Sequence, residues 1–255
     1  YVLFITSEGR AFWLKVHEIP EATRVSRGTN IKTLFAISAN EEIATVASLS
    51  EFSQKTYFFM TTVKGIVKKV QTQEFANAKT RGIVALKMDK GDKLVSALLT
   101  KGADEVVLVT RKGLALRFTE SSVRPMGRAS RGIIGIRLAK EDELAGVASV
   151  EKGAQLFLIT EFGFGKQTDF DAFNRHGRGT RGQTCYKVND KTGEIVGVQT
   201  AHRRDDVVCI TSQGNTLKLH MKEIPVVGRT AIGVRVLDIE KPDLVVAVAR
   251  AAKEA

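Results

Sequence analysis

Cysteine, proline and histidine are scarce in this 255-residue chain, at two, four and four, and there is one tryptophan. Two cysteines cannot build a disulfide framework. Cys185 and Cys209 sit in strand-like surroundings (Cys185-Tyr186, Val208-Cys209-Ile210), so they read as inert buried thiols in a reducing cytoplasm. Closely spaced Cys/His pairs for zinc are lacking. His17, His176, His202 and His220 match neither metal-ligand spacing nor a nucleophile motif, so no active site is visible. Each reads as a surface residue, with His176 best placed to neighbour a phosphate. Asp169 and Asp171 share a strand face without the other ligands of a calcium loop. Gly163-Phe-Gly165 and Gly177-Arg-Gly179 open no helix and match no nucleotide-binding pattern. Apolar runs stop well short of the roughly 18 residues of a membrane span, and no membrane partner is expected. Tyr1 is not an initiator Met and no signal peptide follows it, so the chain reads as a fragment of a longer one.

What is abundant is repetition. Four apolar or near-apolar residues and a Thr recur as Val2 to Thr6, Phe58 to Thr62, Val106 to Thr110, Leu156 to Thr160 and Val207 to Thr211. Three residues after each Thr stands Gly9, Gly65, Gly113, Gly163 or Gly214, and a second glycine follows 17 or 19 residues later, at Gly28, Gly82, Gly132, Gly182 and Gly233. An apolar run ending in Thr-x-x-Gly predicts a doubly buried strand entering a hairpin whose tip takes positive φ. A short strand after the second glycine, an acidic tip and a last strand complete four strands per unit. Four-stranded units at a period near 50 residues predict an all-β fold, a propeller-like ring of blades, with a solenoid less favoured because its end sheets would be uncovered. The expected blades are 1–54, 55–102, 103–153, 154–204 and 205–255 of a single domain. The four prolines fall in connections.

Positive charge is also repeated. Lys and Arg number 39 against 28 Asp and Glu, a net charge of +11. The connection before the second glycine carries Arg24 and Arg27, Lys79 and Arg81, Arg124, Arg128 and Arg131, Arg175, Arg178 and Arg181, and finally Arg229. The strand leaving the first hairpin adds Lys68, Lys69, Arg117, Lys166 and Lys218. Equivalent loops around an axis would form a curved basic track, which suits bent duplex DNA held by its phosphates without base reading. The glycine beside the Arg is expected to let backbone N–H groups approach a phosphate. Two phosphates per unit would give a log–log salt slope of about −9. Single-strand binding would add exposed aromatic platforms. Phe12, Trp13, Phe162, Phe164, Phe170 and Phe173 read instead as core. A protein-binding propeller is the rival reading, but recurring Gly-His and Trp-Asp pairs are missing. A glycosidase-like propeller is disfavoured because acids cluster at hairpin tips (Glu41-Glu42, Asp142-Glu143, Asp243).

Glu18-Ile-Pro-Glu-Ala-Thr-Arg24 with Arg27-Gly28, Gly65-Ile-Val-Lys-Lys69, Glu120 to Gly127 and Glu223-Ile-Pro-Val-Val-Gly-Arg229 resemble the C-terminal domain of the DNA gyrase A protein, over essentially the whole chain. The resemblance implies a β-pinwheel that wraps duplex DNA around its outer edge, sequence-tolerantly, so that an ATP-driven heterotetramer with gyrase B introduces negative supercoils in the bacterial cytoplasm, at the nucleoid. ATP and Mg belong to the holoenzyme; no cofactor and no catalytic residue is expected in this domain. The family domain has six blades and a Gln-Arg-Arg-Gly-Gly-Lys-Gly box in its first. Only five units are visible here, and Gly177 to Gly182 is the nearest string to the box. The related subunit of topoisomerase IV, often five-bladed and box-free, is the alternative.

Overall fold

A computed structural model describes residues 1–23, 26, 28–240 and 242–251. Each apolar run becomes the first strand of a hairpin: β1 Val2–Thr6 with β2 Arg10–Leu14, β4 Tyr57–Thr62 with β5 Ile66–Gln71, β8 Glu105–Thr110 with β9 Leu114–Thr119, β12 Gln155–Thr160 with β13 Phe164–Asp169, and β16 Asp206–Thr211 with β17 Thr216–His220. The last strand of each repeat is β3 Ile43–Ser48, β7 Leu94–Thr100, β11 Leu144–Ser149, β15 Ile195–Ala201 or β19 Val245–Ala251. All the hairpin and last-strand pairings are antiparallel.

The five hairpin tips share one construction. The tip glycine N–H donates to the Thr carbonyl three residues back, at 2.9–3.1 Å. The next N–H donates to the Thr Oγ1, from Arg10, Ile66, Leu114, Phe164 and Asn215. The glycines lie at φ +74 to +90, the left-handed region that favours a residue without Cβ. This is why Thr and Gly recur at fixed spacing.

Repeat and sheet are not coextensive. The short strands β6 Ile83–Val84, β10 Ile133–Ile134, β14 Gln183–Thr184 and β18 Val234–Arg235 each leave their own repeat and become the edge of the preceding repeat's sheet. Four sheets thus have four strands, in the orders β3-β1-β2-β6, β7-β4-β5-β10, β11-β8-β9-β14 and β15-β12-β13-β18; the fifth, β19-β16-β17, has three among the described residues. Among the described residues the first repeat contributes three strands, β1 to β3, where four were expected. There Asn30 caps a single helical turn, α1 Ile31–Leu34, which seats Phe35 against Phe4 and Phe12 at ring distances of 5.0 and 5.2 Å.

The chain divides into two compact units, one of residues 1–103 and 123–133, the other of 104–122 and 134–255. In the first, a core of Leu3, Ile5, Trp13, Phe58, Met60 and Phe75 joins the facing surfaces of the first two sheets. In the second, Val107, Leu156, Leu158 and Phe173 join the third and fourth sheets, and Phe157, Ile159, Val207 and Cys209 join the fourth and fifth. Central strands such as β12 therefore face neighbours on both sides, which explains their unbroken apolar runs.

Candidate nucleic-acid interface

The route into each basic loop is set by the preceding sheet. After a 3₁₀ turn, the chain of repeats three, four and five runs briefly parallel to the previous hairpin's second strand, bridging Lys69 with Pro125, Arg117 with Arg175 and Gln167 with Val226. The N–H groups of Met126, His176 and Val227 donate to the carbonyls of Lys69, Arg117 and Gln167 at 2.8–2.9 Å. The loops Gly127–Gly132, Gly177–Gly182 and Gly228–Gly233 then turn outward before the short strand. Loop, short strand and neighbouring hairpin form one edge.

In repeats two to five the second glycine is required by this docking, a role the sequence expectation did not include; at Gly28 nothing lies within 4 Å of a Cβ. A Cβ would lie 2.5 Å from the Val67 carbonyl oxygen at Gly132, 2.5 Å from that of Ala115 at Gly182, and 2.5 Å from that of Gly165 at Gly233; at Gly82 it would strike the Phe12 ring. The missing side chain admits the neighbouring strand or ring.

The strand cations are corrected. Lys68, Lys69, Arg117 and Lys166 are buried, at 0, 3, 8 and 0% exposure, and their charges are spent inside. Lys68 Nζ donates to the carbonyls of Ala85 (2.9 Å), Ser130 (2.8 Å) and Arg128. Lys166 Nζ donates to those of Gly228 (3.1 Å) and Arg229 (2.7 Å). Burial, then the nearby Arg128, lowers the Lys68 amine to about 8; burial together with Arg229 does the same for Lys166. Lys69 Nζ bonds the Gly102 carbonyl, and Arg117 pairs with Glu105 at 2.7 Å while donating to the Phe170 and Phe173 carbonyls. Only Lys218 of this group is exposed, and it pairs with Asp206 at 2.6 Å.

The loop cations divide into three kinds. Arg128, Arg178 and Arg229 each reach back to the short strand one repeat earlier, donating to the carbonyls of Val84, Ile134 and Thr184. Arg131 pairs with Asp89 at 3.2 Å, and Arg175 with the half-shielded Glu105. Lys79, Arg81, Arg124 and Arg181 are exposed and have no ion pair among the described residues. Arg24 and Arg27 lie outside the described residues.

Sequence reasoning missed a further set. Five residues beyond the second glycine stand Lys87, Arg137 and Lys187, all exposed. The Lys87 N–H donates to the Ser130 carbonyl and that of Arg137 to the Thr180 carbonyl, so these two cations enter the edge beside the next repeat's loop. Their fixed offset was readable, but only the strand exchange shows that they join that loop.

Other candidates fold inward. Phe12, Trp13, Phe164, Phe170 and Phe173 are buried, and Phe162 is half-buried. Cys185 and Cys209 are free and buried, with burial pushing both thiols up to about 12, where they are inert at neutral pH. His176 is exposed in its loop. The tip acids tie the turn before each last strand to the hairpin tip of the same repeat: Asp92, Asp142 and Asp243 accept the N–H of Lys64, Lys112 and Gln213. Burial alone would raise Asp243, but hydrogen bonds from Thr211, Ser212, Gln213 and Asn215 hold it well below the usual carboxylate range.

Strand-exchanged, four-stranded antiparallel sheets repeated along one chain, each with a basic edge, define a propeller-class repeat protein. The family model described as "DNA gyrase C-terminal domain, beta-propeller" matches residues 1–50, 56–101, 104–151, 154–202 and 205–252, one segment per repeat, and the chain belongs to that family. The A-type subunit of DNA gyrase from Treponema pallidum is 57% identical over 246 residues, covering 96% of this chain and 30% of that protein. Its counterpart from Clostridium acetobutylicum is 44% identical over 253 residues, covering 99% and 30%. The chain thus spans about a third of these relatives. Solved C-terminal domains of DNA topoisomerase IV and of DNA gyrase A each superpose with a TM-score of 0.87 at 25% identity, covering 98% of this chain and 78% and 82% of theirs.

Proposed function

We propose that the chain binds and wraps duplex DNA, sequence-tolerantly, as the C-terminal part of a gyrase A protein. In the whole enzyme, with the rest of gyrase A and with gyrase B, this wrapping serves ATP- and Mg-dependent negative supercoiling in the bacterial cytoplasm. The chain's own contribution is electrostatic. The observation that carries the reading is the repeated edge: an exposed Arg or Lys of the loop (Arg81, Arg131, Arg181) beside a loop Arg anchored to the short strand (Arg128, Arg178, Arg229), with Lys87, Arg137 and Lys187 adjoining. Such cations neutralise phosphates without reading bases, and an anchored guanidinium loses less side-chain entropy on contact. The buried Lys68, Lys69, Arg117 and Lys166 take no part in contact.

Changing Arg124, Arg131, Arg137 and Arg181 together to Ala is expected to weaken binding on every duplex sequence and to flatten the log–log salt slope by about 3 to 4, near 0.9 per lost contact. Unchanged affinity would end the reading. Wrapping itself is checked by ligating nicked circles on the protein and looking for a linking-number shift. The equal likeness to the topoisomerase IV domain keeps the A-type subunit of that enzyme in view for the second reading; relaxation without supercoiling by the reconstituted enzyme would favour it. Capture of acidic proteins but not DNA would favour a protein-binding propeller.

A further inference from the structure

The buried amines point to a second component of the edge, one made of backbone. A trans peptide holds its C=O and N–H in opposite directions. Lys68 draws the carbonyls of Arg128 and Ser130 inward, so the N–H groups of Ala129 and Arg131 face away from the core. Lys166 draws in those of Gly228 and Arg229, which turns the N–H groups of Arg229 and Thr230 outward. None of these four amides has a hydrogen-bond acceptor among the described residues. We propose that Lys68 and Lys166 are positioning residues which hold the loops 127–132 and 228–233 as backbone-amide cradles for single phosphate oxyanions, each flanked by the guanidinium of Arg128 or Arg229. Adjacent outward N–H groups form an anion-binding concavity of fixed partial charge. The inference rests on the DNA reading for the source of the phosphate, a duplex backbone.

The third sheet supplies the internal control. Leu116 stands where the second and fourth sheets have Lys68 and Lys166, three residues beyond the tip glycine. Its loop, 177–182, has no amine beneath it, and one of its amides is already used: Gly179 N–H donates to the Gly135 carbonyl at 2.6 Å. Cradles therefore belong to alternate repeats.

The test follows the amide proton resonances of the isotope-labelled 255-residue chain while inorganic phosphate, then a short duplex of arbitrary sequence, is added. With phosphate, Ala129, Arg131, Arg229 and Thr230 are expected to shift downfield together and Gly179 and Thr180 to stay; with duplex the same four are expected to move furthest downfield. Duplex binding with the four amides silent overturns the inference alone. Phosphate shifts without duplex binding uphold the cradles and remove the DNA reading. Lys166→Leu, which installs the residue the third sheet tolerates, should lower duplex affinity by about tenfold, the loss of one to two charge-assisted hydrogen bonds, with the salt slope unchanged. A slope shallower by about 0.9 would show Lys166 itself on a phosphate and refute the positioning role. Should Lys166→Leu not fold, the wild-type amide shifts decide the matter.

Discussion

The fourth and fifth sheets begin with the same hairpin and end in different environments. In the fourth, Gly163 meets the incoming chain of the next repeat: its carbonyl accepts the N–H groups of Val236 and Leu237 at 2.9 and 3.1 Å, and Lys166 is fully buried. In the fifth, the space around Gly214 is open to 4 Å, and Lys218, on the strand after it, is exposed. Lys69 and Arg117, which like Lys218 stand four residues beyond their tip glycine, are buried, so the strand itself does not decide whether its cation is inside. The loop and short strand arriving from the following repeat do. A basic residue in this repeat is therefore structural or available according to what lies one repeat onward.

Matched glycine substitutions separate the two environments most sharply. Gly163 and Gly214 have nearly the same backbone, φ +77 and +85, so replacing either by Ala incurs the same left-handed strain, about 1 kcal/mol. At Gly163 the new Cβ would also lie 2.6 Å from the Leu237 carbonyl oxygen, forcing the incoming strand to move. Gly163→Ala is expected to cost about 3 kcal/mol in all and Gly214→Ala about 1, by denaturant unfolding. Equal costs would mean that the incoming strand is not tightly held.

The buried amine gives a pH test of smaller size. Lys166 titrates near 8 in the folded chain and at 10.5 unfolded. Between those values the unfolded chain holds more protons, so stability should rise with pH across that window and be flat below it as far as this residue is concerned. Lys68 behaves alike. Thermal unfolding of Lys166→Leu should show a smaller rise from pH 8 to 10.5 than the wild type. An identical rise in both would place the amine in water.

Much of this was legible in the residues. Thr-x-x-Gly encodes the hairpin tip because the Thr hydroxyl and the glycine φ are local requirements, so the period, the strands and the propeller class were open to reading. Contacts between repeats were not. Nothing near Lys68 or Lys166 in sequence signals burial, because their carbonyl partners lie 17 residues away at Ala85 and 60 to 63 residues away in the loops. For the same reason Gly132, Gly182 and Gly233 read as room for a phosphate when they are room for a strand. Lys87 and Arg137 went unnoticed because each belongs by sequence to one repeat and by space to the edge formed with the next.

The smallest expected effect is at Lys218, and it tests the same rule from the other side. Asp206, its partner, is 2% exposed, which would make loss of a cation costly if the carboxylate were left alone. It is not alone: His220 Nδ1 lies 2.7 Å from the other carboxylate oxygen. Lys218 has a side chain 57% exposed, so its pair with Asp206 is screened by water. Lys218→Ala is therefore expected to cost only about 0.5 kcal/mol, against several for Lys166→Ala, which removes a fully buried side chain, opens a cavity and takes the amine from the Gly228 and Arg229 carbonyls. If the two substitutions cost the same, cover by the following repeat is not what distinguishes these cations, and the division between structural and available charge along the edge fails with it.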